Sequence, residues 1–261
     1  MNTPTTPNIV SRDTWLAARK KHLAREKELT RLHEQIMAER RELPWVKVDK
    51  NYVFDGPQGQ VTLAELFRGR SQLIVYHFMF GPEWEQGCPS CCYVSDHVDS
   101  ARQHFENHDV AYAAVSRAPL AKIEPFRKRM GWHFPWVSSG RNSFNFDYNV
   151  SFTPEQMEKG GATYNYEKTD PGLPFDELPG ASVFIRDEEG AIYHTYSTYT
   201  RGLDPLINTH NFLDLTPKGR NETSTMDWIR YHDRYAEEGG EAACCGGMNG
   251  VLRAMGREAM A

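Results

Sequence analysis

A continuous apolar run over residues 73–80 is the feature that most restricts what this chain can fold into. The run is rich in aromatic and branched residues, and only His77 interrupts it. A strand with one face in water alternates apolar and polar residues, whereas a strand covered on both faces reads as continuously apolar. We therefore expect a strand inside a sheet that is packed on both sides by other elements, as in α/β proteins.

Helical and strand patterns alternate around this central run. We predict helices at residues 61–67, 90–107, 119–130 and 205–213, strands at 52–54 and 110–116, a hairpin of strands 182–186 and 191–196, and mostly loop over 140–180. Alternating strands and helices indicate a parallel sheet, and the late hairpin adds an antiparallel pair. This layout is similar to that of thioredoxins and peroxiredoxins. The predicted architecture is a thioredoxin-like, peroxiredoxin-type three-layer α/β sandwich.

Both ends of the chain extend beyond this predicted domain. Residues 12–42 show apolar residues at a loose helical spacing, and Pro44 ends the helix that they predict. We expect a helical extension at 1–44, a thioredoxin-like domain at 45–215, and a peripheral C-terminal extension with a flexible tail at 216–261. Because the long helix is mostly polar, its narrow apolar stripe is expected to pack on the main domain or on a second subunit, which would give a homodimer.

Composition narrows the class of function. The 261 residues carry a formal net charge of −5, which does not suggest a nucleic-acid partner. No apolar run approaches the roughly 20 residues of a membrane-spanning helix, and the first ten residues lack the pattern of a secretory signal. We therefore expect a cytoplasmic protein with no membrane partner. In that reducing compartment, cysteines are more often catalytic or metal-binding than structural, and their number here, five, is odd.

The motif Cys88-Pro89-Ser90-Cys91 is the strongest indication of a chemically reactive site in this sequence. It is predicted where the loop after the buried strand meets the next helix, and the unpaired N–H groups of a helix start favour a thiolate. We expect Cys88 to be a partly exposed nucleophile and Cys91, one turn along the same face, to be the resolving cysteine. These roles predict a thiol–disulfide oxidoreductase or thiol peroxidase. Its substrate would be a disulfide, a peroxide or another small molecule, and it would require no cofactor.

A metal protein of the same fold is the main alternative, either a metal-dependent oxidase or a carrier. Cys88, Cys91, His77 and His97 are its candidate ligands, and thiolate with imidazole suits copper, iron or zinc. A structural zinc site commonly uses two Cys-x-x-Cys pairs, and this chain has one. A third hypothesis is a binding module that keeps the fold without turnover.

The remaining cysteines have separate expectations. Cys92 is expected in the core, because it points away from the face that carries Cys88. Cys244 and Cys245 lie in the predicted flexible tail, where they could resolve an oxidised Cys88, bind a metal or be incidental exposed thiols.

Three further residues are candidates for the catalytic site. His77 is expected as a hydrogen-bonded core histidine or as a base for Cys88. Trp84, in the loop before the motif, could cover the site or pack the loop. Arg201 could hold an anionic substrate or stabilise a thiolate, and an ion pair with Asp204 is an equal expectation. We also expect His97 at the surface or paired with the neighbouring Asp96.

Sequence motifs over residues 10–235 resemble those of the bacterial thioredoxin-like family known as domain of unknown function 899. The motifs that carry the resemblance are His77-Phe78-Met79-Phe80-Gly81-Pro82, Gly87-Cys88-Pro89-Ser90-Cys91, Ser116-Arg117-Ala118-Pro119, Arg129-Met130-Gly131-Trp132, Phe134-Pro135-Trp136, Phe144-Asn145-Phe146-Asp147, His194-Thr195-Tyr196-Ser197-Thr198-Tyr199, Arg201-Gly202-Leu203-Asp204, Leu213-Asp214-Leu215-Thr216-Pro217 and Asp227-Trp228. The resemblance implies a thioredoxin-like fold. Two positions depart from better-known relatives: residues 180–182 stand where thioredoxins have a cis-proline, with Pro179 out of register, and Glu85 stands where peroxiredoxins have a threonine.

Overall fold

The computed structural model describes residues 7–235, which divide into two compact units, one ending at Trp45 and the other beginning at Val46. The first unit contains the helix α1 (Arg12–Arg41), which buries none of its 30 residues. The Ser11 side chain accepts a hydrogen bond from the Thr14 backbone and caps the start of α1. The structure thus confirms the long helix predicted from residues 12–42.

The second unit is built on an eight-stranded sheet. In chain order, the strands of this unit are β1 (Val46–Lys47), β2 (Val53–Gly56), β3 (Gly59–Thr62), β4 (Gln72–His77), β5 (Val110–Ser116), β6 (Trp136–Ser138), β7 (Thr163–Tyr164), β8 (Glu167–Lys168), β9 (Gly180–Arg186) and β10 (Ile192–Tyr199). Strands β7 and β8 form a separate two-stranded sheet, and the other eight form the large sheet. The order across the large sheet is β1-β10-β9-β4-β5-β6-β2-β3. Strands β4, β5 and β6 run parallel, and β9 joins β4 in the antiparallel direction. This is the predicted thioredoxin-like arrangement.

Strand β4 lies inside the sheet, between β5 and β9, and is covered on both faces. Tyr76 packs in one hydrophobic cluster and Val75 in the other, because successive side chains of a strand point to opposite faces. The cysteines of the motif belong to the same cluster as Tyr76. The continuous apolar run therefore has the cause expected from the sequence.

Eight α-helices are assigned in the described residues. After α1 they are α2 (Leu63–Leu66), α3 (Pro89–Ser95), α4 (Val98–Asn107), α5 (Leu120–Arg129), α6 (Phe144–Asp147), α7 (Pro154–Lys159) and α8 (Asn208–Asp214). Short 3-10 helices cover Thr200–Leu206 and His232–Arg234. None of the helices of residues 7–235 combines the length and apolar character needed to cross a lipid bilayer.

The prediction of one continuous helix over residues 90–107 is wrong, because the structure has two helices there, α3 and α4. At the break, Nδ1 of His97 hydrogen-bonds to the Tyr93 carbonyl at 2.7 Å, an oxygen that the His97 backbone N–H would use in a continuous helix. That N–H bonds to Val94 instead. A side chain has therefore competed with the helical hydrogen bond.

Two other predictions from local pattern need correction. The helix predicted at 61–67 is only the turn α2, because residues 59–62 pair with β2 as strand β3. The segment 140–180, predicted as mostly loop, contains α6, α7 and the β7–β8 hairpin. Helix α7 has a sequence signature in Thr153-Pro154-Glu155-Gln156, which forms a capping box with proline in the first turn.

Candidate active site

The cysteine motif occupies the junction predicted for it, directly after the loop that follows β4. Cys88 is the N-cap of α3, and its backbone N–H donates to the Met79 carbonyl at 3.0 Å, which ties the end of the loop to its beginning, two residues after β4. Cys91 lies one turn into the helix, and Cys92 follows it. The exposed fractions of Cys88, Cys91 and Cys92 are 2%, 1% and 0%, so Cys92 is the core residue expected.

Cys88 is buried, contrary to the partial exposure predicted for it. The preceding Gly87 lies so close to two rings that a Cβ on it would be 2.5 Å from Phe78 and 3.0 Å from Phe126. The Tyr231 hydroxyl donates to the Gly87 carbonyl at 2.7 Å. The loop before α3 is therefore covered by aromatic side chains, one of which comes from the C-terminal segment that the sequence placed at the periphery.

Of the three cysteines in this region, Cys91 is the one that borders a cavity. It lines a cavity of about 80 Å³, which has room for several water-sized groups. Arg201 lines the same cavity, together with Tyr76, Pro179 and Met226. The structure thus brings Cys91 and Arg201 together, whereas Cys88 is not part of the lining.

The Cys91 sulfur accepts a backbone hydrogen bond and lies near buried tyrosines. The Met79 backbone N–H donates to this sulfur at 3.5 Å. Burial raises the pKa of Tyr76 well above its usual value, and the neighbouring Cys91 raises it further. Burial and Cys91 also contribute to the raised pKa values of Tyr112 and Tyr164. These phenols therefore stay neutral at physiological pH, with their O–H groups intact. A thiolate or an oxidised sulfur at Cys91 would be stabilised by the Met79 N–H and by the O–H of the neighbouring Tyr76.

His77 lies on the other face of the sheet from the cysteines. Its ring packs on Phe144 and Tyr148, and its Nε2 bonds to the Ser182 hydroxyl at 2.8 Å. Burial lowers the pKa of His77 to about 3, so the ring is neutral. The prediction of a hydrogen-bonded core histidine is confirmed. The alternative roles as a base for Cys88 or as a metal ligand gain no support, because the side chain points away from α3.

Arg201 and Trp84 have partners that define their positions. The Arg201 side chain is 54% exposed and forms the expected ion pair with Asp204, at 3.5 Å. Asp204 also lines the Cys91 cavity. Trp84 donates from Nε1 to Asp176 at 3.1 Å and packs on Phe175, which anchors the loop rather than covering the cavity.

The candidate metal ligands are not brought together. The Nδ1 of His97 bonds to the Tyr93 carbonyl, and its Nε2 accepts from the Thr209 backbone N–H at 3.1 Å. Asp96, the expected partner of His97, instead bonds to His232 and Trp132. Within residues 7–235, no group of three or more histidine, cysteine, aspartate or glutamate side chains is arranged to hold a metal ion. Cys244 and Cys245 lie outside the described residues.

Several residues near the site had no signal in the local sequence pattern. Pro179, which is out of register with the cis-proline position of thioredoxins, lines the Cys91 cavity. Thr225 and Met226 reach it from the C-terminal segment. Their contribution depends on long-range packing, so a scan for motifs could not identify them.

A partly buried ion-pair network lies next to the anchor of the cysteine loop. Arg117 donates to Asp176 at 2.6 Å and also to Glu177, which is 1% exposed. Glu177 accepts a further hydrogen bond from Ser151 at 2.8 Å. Burial is the largest influence and raises the pKa of Glu177 to about 7, although Arg117 and Ser151 act in the opposite direction.

A family model described as "Bacterial protein of unknown function (DUF899)" matches residues 4–235. No curated protein matches the chain significantly.

Solved structures with a similar fold share little sequence with the chain. Peroxidoxin BcpB from Mycobacterium tuberculosis is 11% identical, with a TM-score of 0.43 over 64% of this chain and 95% of that one. Peroxiredoxin Q from Xanthomonas campestris is 14% identical, with a TM-score of 0.43 over 65% and 98%. A putative protein disulfide isomerase from Bacteroides thetaiotaomicron is 18% identical, with a TM-score of 0.34 over 69% and 94%. These similarities are too distant to indicate an activity.

Proposed function

The chain belongs to the family described as "Bacterial protein of unknown function (DUF899)", and we propose that it is a thiol-dependent oxidoreductase, specifically a thiol peroxidase. Cys91 is the thiol that meets the substrate, and Cys88 is the cysteine that forms a disulfide with it. One observation carries the proposal: Cys91 lines a cavity beside the cationic Arg201, and its sulfur accepts a hydrogen bond from the Met79 backbone N–H.

The proposed roles of the two cysteines are exchanged relative to the sequence expectation. Cys88 lies behind the Gly87 loop and does not line the cavity, so a substrate would reach Cys91 first. Residues three apart on a helix lie on the same face, at a separation that a disulfide can bridge. Cys88 is therefore suited to the second step.

The chemistry needs two thiols and no resident cofactor. The Cys91 sulfur attacks a hydroperoxide, the O–O bond breaks, and a sulfenic acid and an alcohol (or water, from hydrogen peroxide) form. The Cys88 sulfur then attacks the sulfenic sulfur, which gives a Cys88–Cys91 disulfide and water. An external dithiol restores both thiols by two exchange steps.

The size of the cavity favours a peroxide over a protein disulfide. A volume of about 80 Å³ accepts a hydroperoxide group, whereas a disulfide in a folded protein would need the Cys91 sulfur at an open surface. We therefore expect hydrogen peroxide or an organic hydroperoxide to oxidise the reduced protein rapidly, and insulin reduction to be slow. Insulin reduction at a rate comparable to peroxide consumption would instead assign a thiol–disulfide oxidoreductase.

Single-turnover oxidation tests the assignment of roles. Reduced protein receives one equivalent of hydrogen peroxide in the presence of dimedone, which traps sulfenic acids, and is analysed by peptide mass spectrometry. The wild type should yield a Cys88–Cys91 disulfide, and Cys88→Ser should accumulate the dimedone adduct on Cys91. Cys91→Ser should not react at Cys88, and Cys92→Ser should behave as the wild type. Oxidation of Cys91→Ser at the wild-type rate would disprove the proposed role of Cys91.

A further inference from the structure

Helix α4 packs partly on the core and borders a cleft. None of its ten residues is buried. Val98, Ala101 and Phe105 follow one another at spacings of three and four, which places them on one face of the helix. All three line a cleft of about 400 Å³ between α4 and the sheet, and this volume lies in the range of small-molecule sites.

The floor of the cleft is apolar and aromatic, and its rim is polar. Tyr76 from β4 and Tyr112 from β5 form part of the buried floor, whereas Asn208 and Asn211 of α8 line the exposed rim. No aspartate, glutamate, lysine or arginine lines the cleft. Because a charged group buried without a partner is strongly disfavoured, this lining selects a neutral occupant.

The floor also contains an unused hydrogen-bonding group. The Tyr112 hydroxyl is buried and has no hydrogen-bond partner in the described part of the chain. A buried hydroxyl without a partner is costly, and an acceptor on a bound molecule would satisfy it. His97, also in the lining, already uses both ring nitrogens within the protein.

We propose that the cleft beneath α4 is a binding site for a neutral, largely apolar small molecule that carries a carbonyl-type acceptor. The apolar body packs between Phe105 and the tyrosine floor, and the acceptor takes the Tyr112 O–H. Tyr76 lines both this cleft and the Cys91 cavity, so the bound molecule lies across one side chain from the proposed reactive site. The inference concerns a separate site and does not depend on the proposed redox activity.

The environment-sensitive naphthalene ketone prodan is a suitable probe, because it is neutral, aromatic and carries a carbonyl. With the full chain, we expect saturable binding, seen as a blue-shifted emission on direct excitation of the probe. Ala101→Trp places a large ring in the cleft from an exposed position and should weaken binding by about tenfold or more. Gln103→Trp adds the same ring to another exposed position of α4 outside the cleft lining and should leave binding unchanged.

A second pair of measurements tests the hydrogen bond. Tyr112→Phe should weaken prodan binding by about three- to tenfold, as expected for loss of one hydrogen bond. It should leave binding of 2-ethylnaphthalene, which lacks an acceptor and is measured by displacement of prodan, unaffected. Cys91→Ser should bind prodan as the wild type does, which separates this site from the redox proposal.

Three results would overturn the proposal. They are the absence of saturable blue-shifted emission with the wild type, equal affinities for the folded Ala101→Trp and Gln103→Trp variants, and equal prodan affinities for the wild type and Tyr112→Phe. Circular dichroism of each variant establishes that it is folded before its affinity is compared.

Discussion

Cys91 and Cys92 are consecutive residues of one short helix, and Cys88 is its N-cap. Because an α-helix turns by about 100° per residue, the side chains of Cys91 and Cys92 leave it in different directions. Cys91 reaches a cavity, whereas Cys92 is fully enclosed in the core. Position on the helix therefore decides which of these two neighbouring cysteines borders the cavity.

Arg201 should favour anionic reagents at Cys91. Replacing Arg201 with alanine removes a positive charge from the cavity and should slow alkylation by anionic iodoacetate about two- to threefold more than alkylation by neutral iodoacetamide. The measurement is the ratio of the two rates at Cys91, by mass spectrometry. Arg141→Ala, which removes an exposed arginine outside the cavity lining, is the control and should leave the ratio unchanged. An unchanged ratio in Arg201→Ala would remove the support for an electrostatic role.

His77 should make the fold sensitive to acid. Its pKa is about 3 in the folded protein and near 6.5 in the unfolded chain, so the unfolded state binds more protons between these values. Stability from neutral His77 is present above pH 6.5 and is lost as the pH falls towards 3. Between pH 7 and pH 4, the free energy of unfolding should fall by about 3 kcal/mol more in the wild type than in His77→Gln.

Urea unfolding at the two pH values measures this difference. His108→Gln changes an exposed histidine and should retain the acid sensitivity of the wild type. An equal loss of stability in the wild type and in His77→Gln would contradict the prediction.

At the scale of elements, the loop between β4 and α3 is held from several sides. Lys122 of α5 donates to the carbonyls of Pro82 and Trp84, at 3.0 Å each. Asp176 accepts from the Trp84 indole and from Arg117, so the loop is connected to the buried Arg117–Glu177 pair. The loop that presents the cysteines is thus fixed by side chains from other elements.

Glu177 gives this network a pH dependence opposite to that of His77. Its pKa is raised from 4.5 to about 7 on folding, so the folded state binds more protons between these values. The associated stability is full below pH 4.5 and is lost as the pH rises through 7. Between pH 8 and pH 5, the free energy of unfolding should rise by about 2–3 kcal/mol in the wild type relative to Glu177→Gln.

Parallel urea titrations of the two proteins at pH 5 and pH 8 provide the measurement. Using the difference between the proteins cancels the contribution of His77, which is present in both. If their stabilities change equally between the two pH values, Glu177 does not take up a proton in the folded state in this range.

Elements with a strong local signal could be predicted, and those fixed by distant contacts could not. Strand β4 and the β9–β10 hairpin follow from continuous apolar composition and a turn sequence. Strand β6 has three residues, too few for a period to be read. The break after α3 depends on where the His97 side chain finds its hydrogen bonds, and those partners include Thr209.

The candidate site also has features that could be predicted from local sequence and features that depend on distant contacts. The cysteine motif and its place at the start of a helix follow from residues that are neighbours in sequence. Which sulfur meets the cavity depends on Pro179, Met226 and Tyr231, which only the completed fold brings near the motif. The sequence therefore placed the Cys-x-x-Cys motif correctly at a helix start, but the partial exposure that it predicted for Cys88 is wrong.

At the scale of the whole molecule, α1 forms its own compact unit and buries none of its residues. Leu29, Leu32 and Ile36 repeat at helical spacing and are exposed. An exposed apolar stripe of this kind is typical of helices that associate with another chain. We propose that α1 mediates homodimer formation.

Sedimentation over a range of concentrations tests this proposal. We expect the wild type to sediment as a dimer and a Leu29→Glu, Leu32→Glu double variant to sediment as a monomer, because two charges would interrupt the stripe. The matched control is Thr30→Glu with His33→Glu, which adds two glutamates at the same spacing on polar positions and should remain dimeric. A monomeric wild type, or two variants with the same behaviour, would refute a role for the stripe.

Of the segments that cover the cysteine motif, the one around Met226 and Tyr231 comes last in the sequence. During synthesis, the thiols leave the ribosome long before this segment does. A growing polypeptide would therefore carry Cys88 and Cys91 without the cover that they have in the finished protein. Oxidative damage to these sulfurs should fall most heavily on nascent and truncated chains.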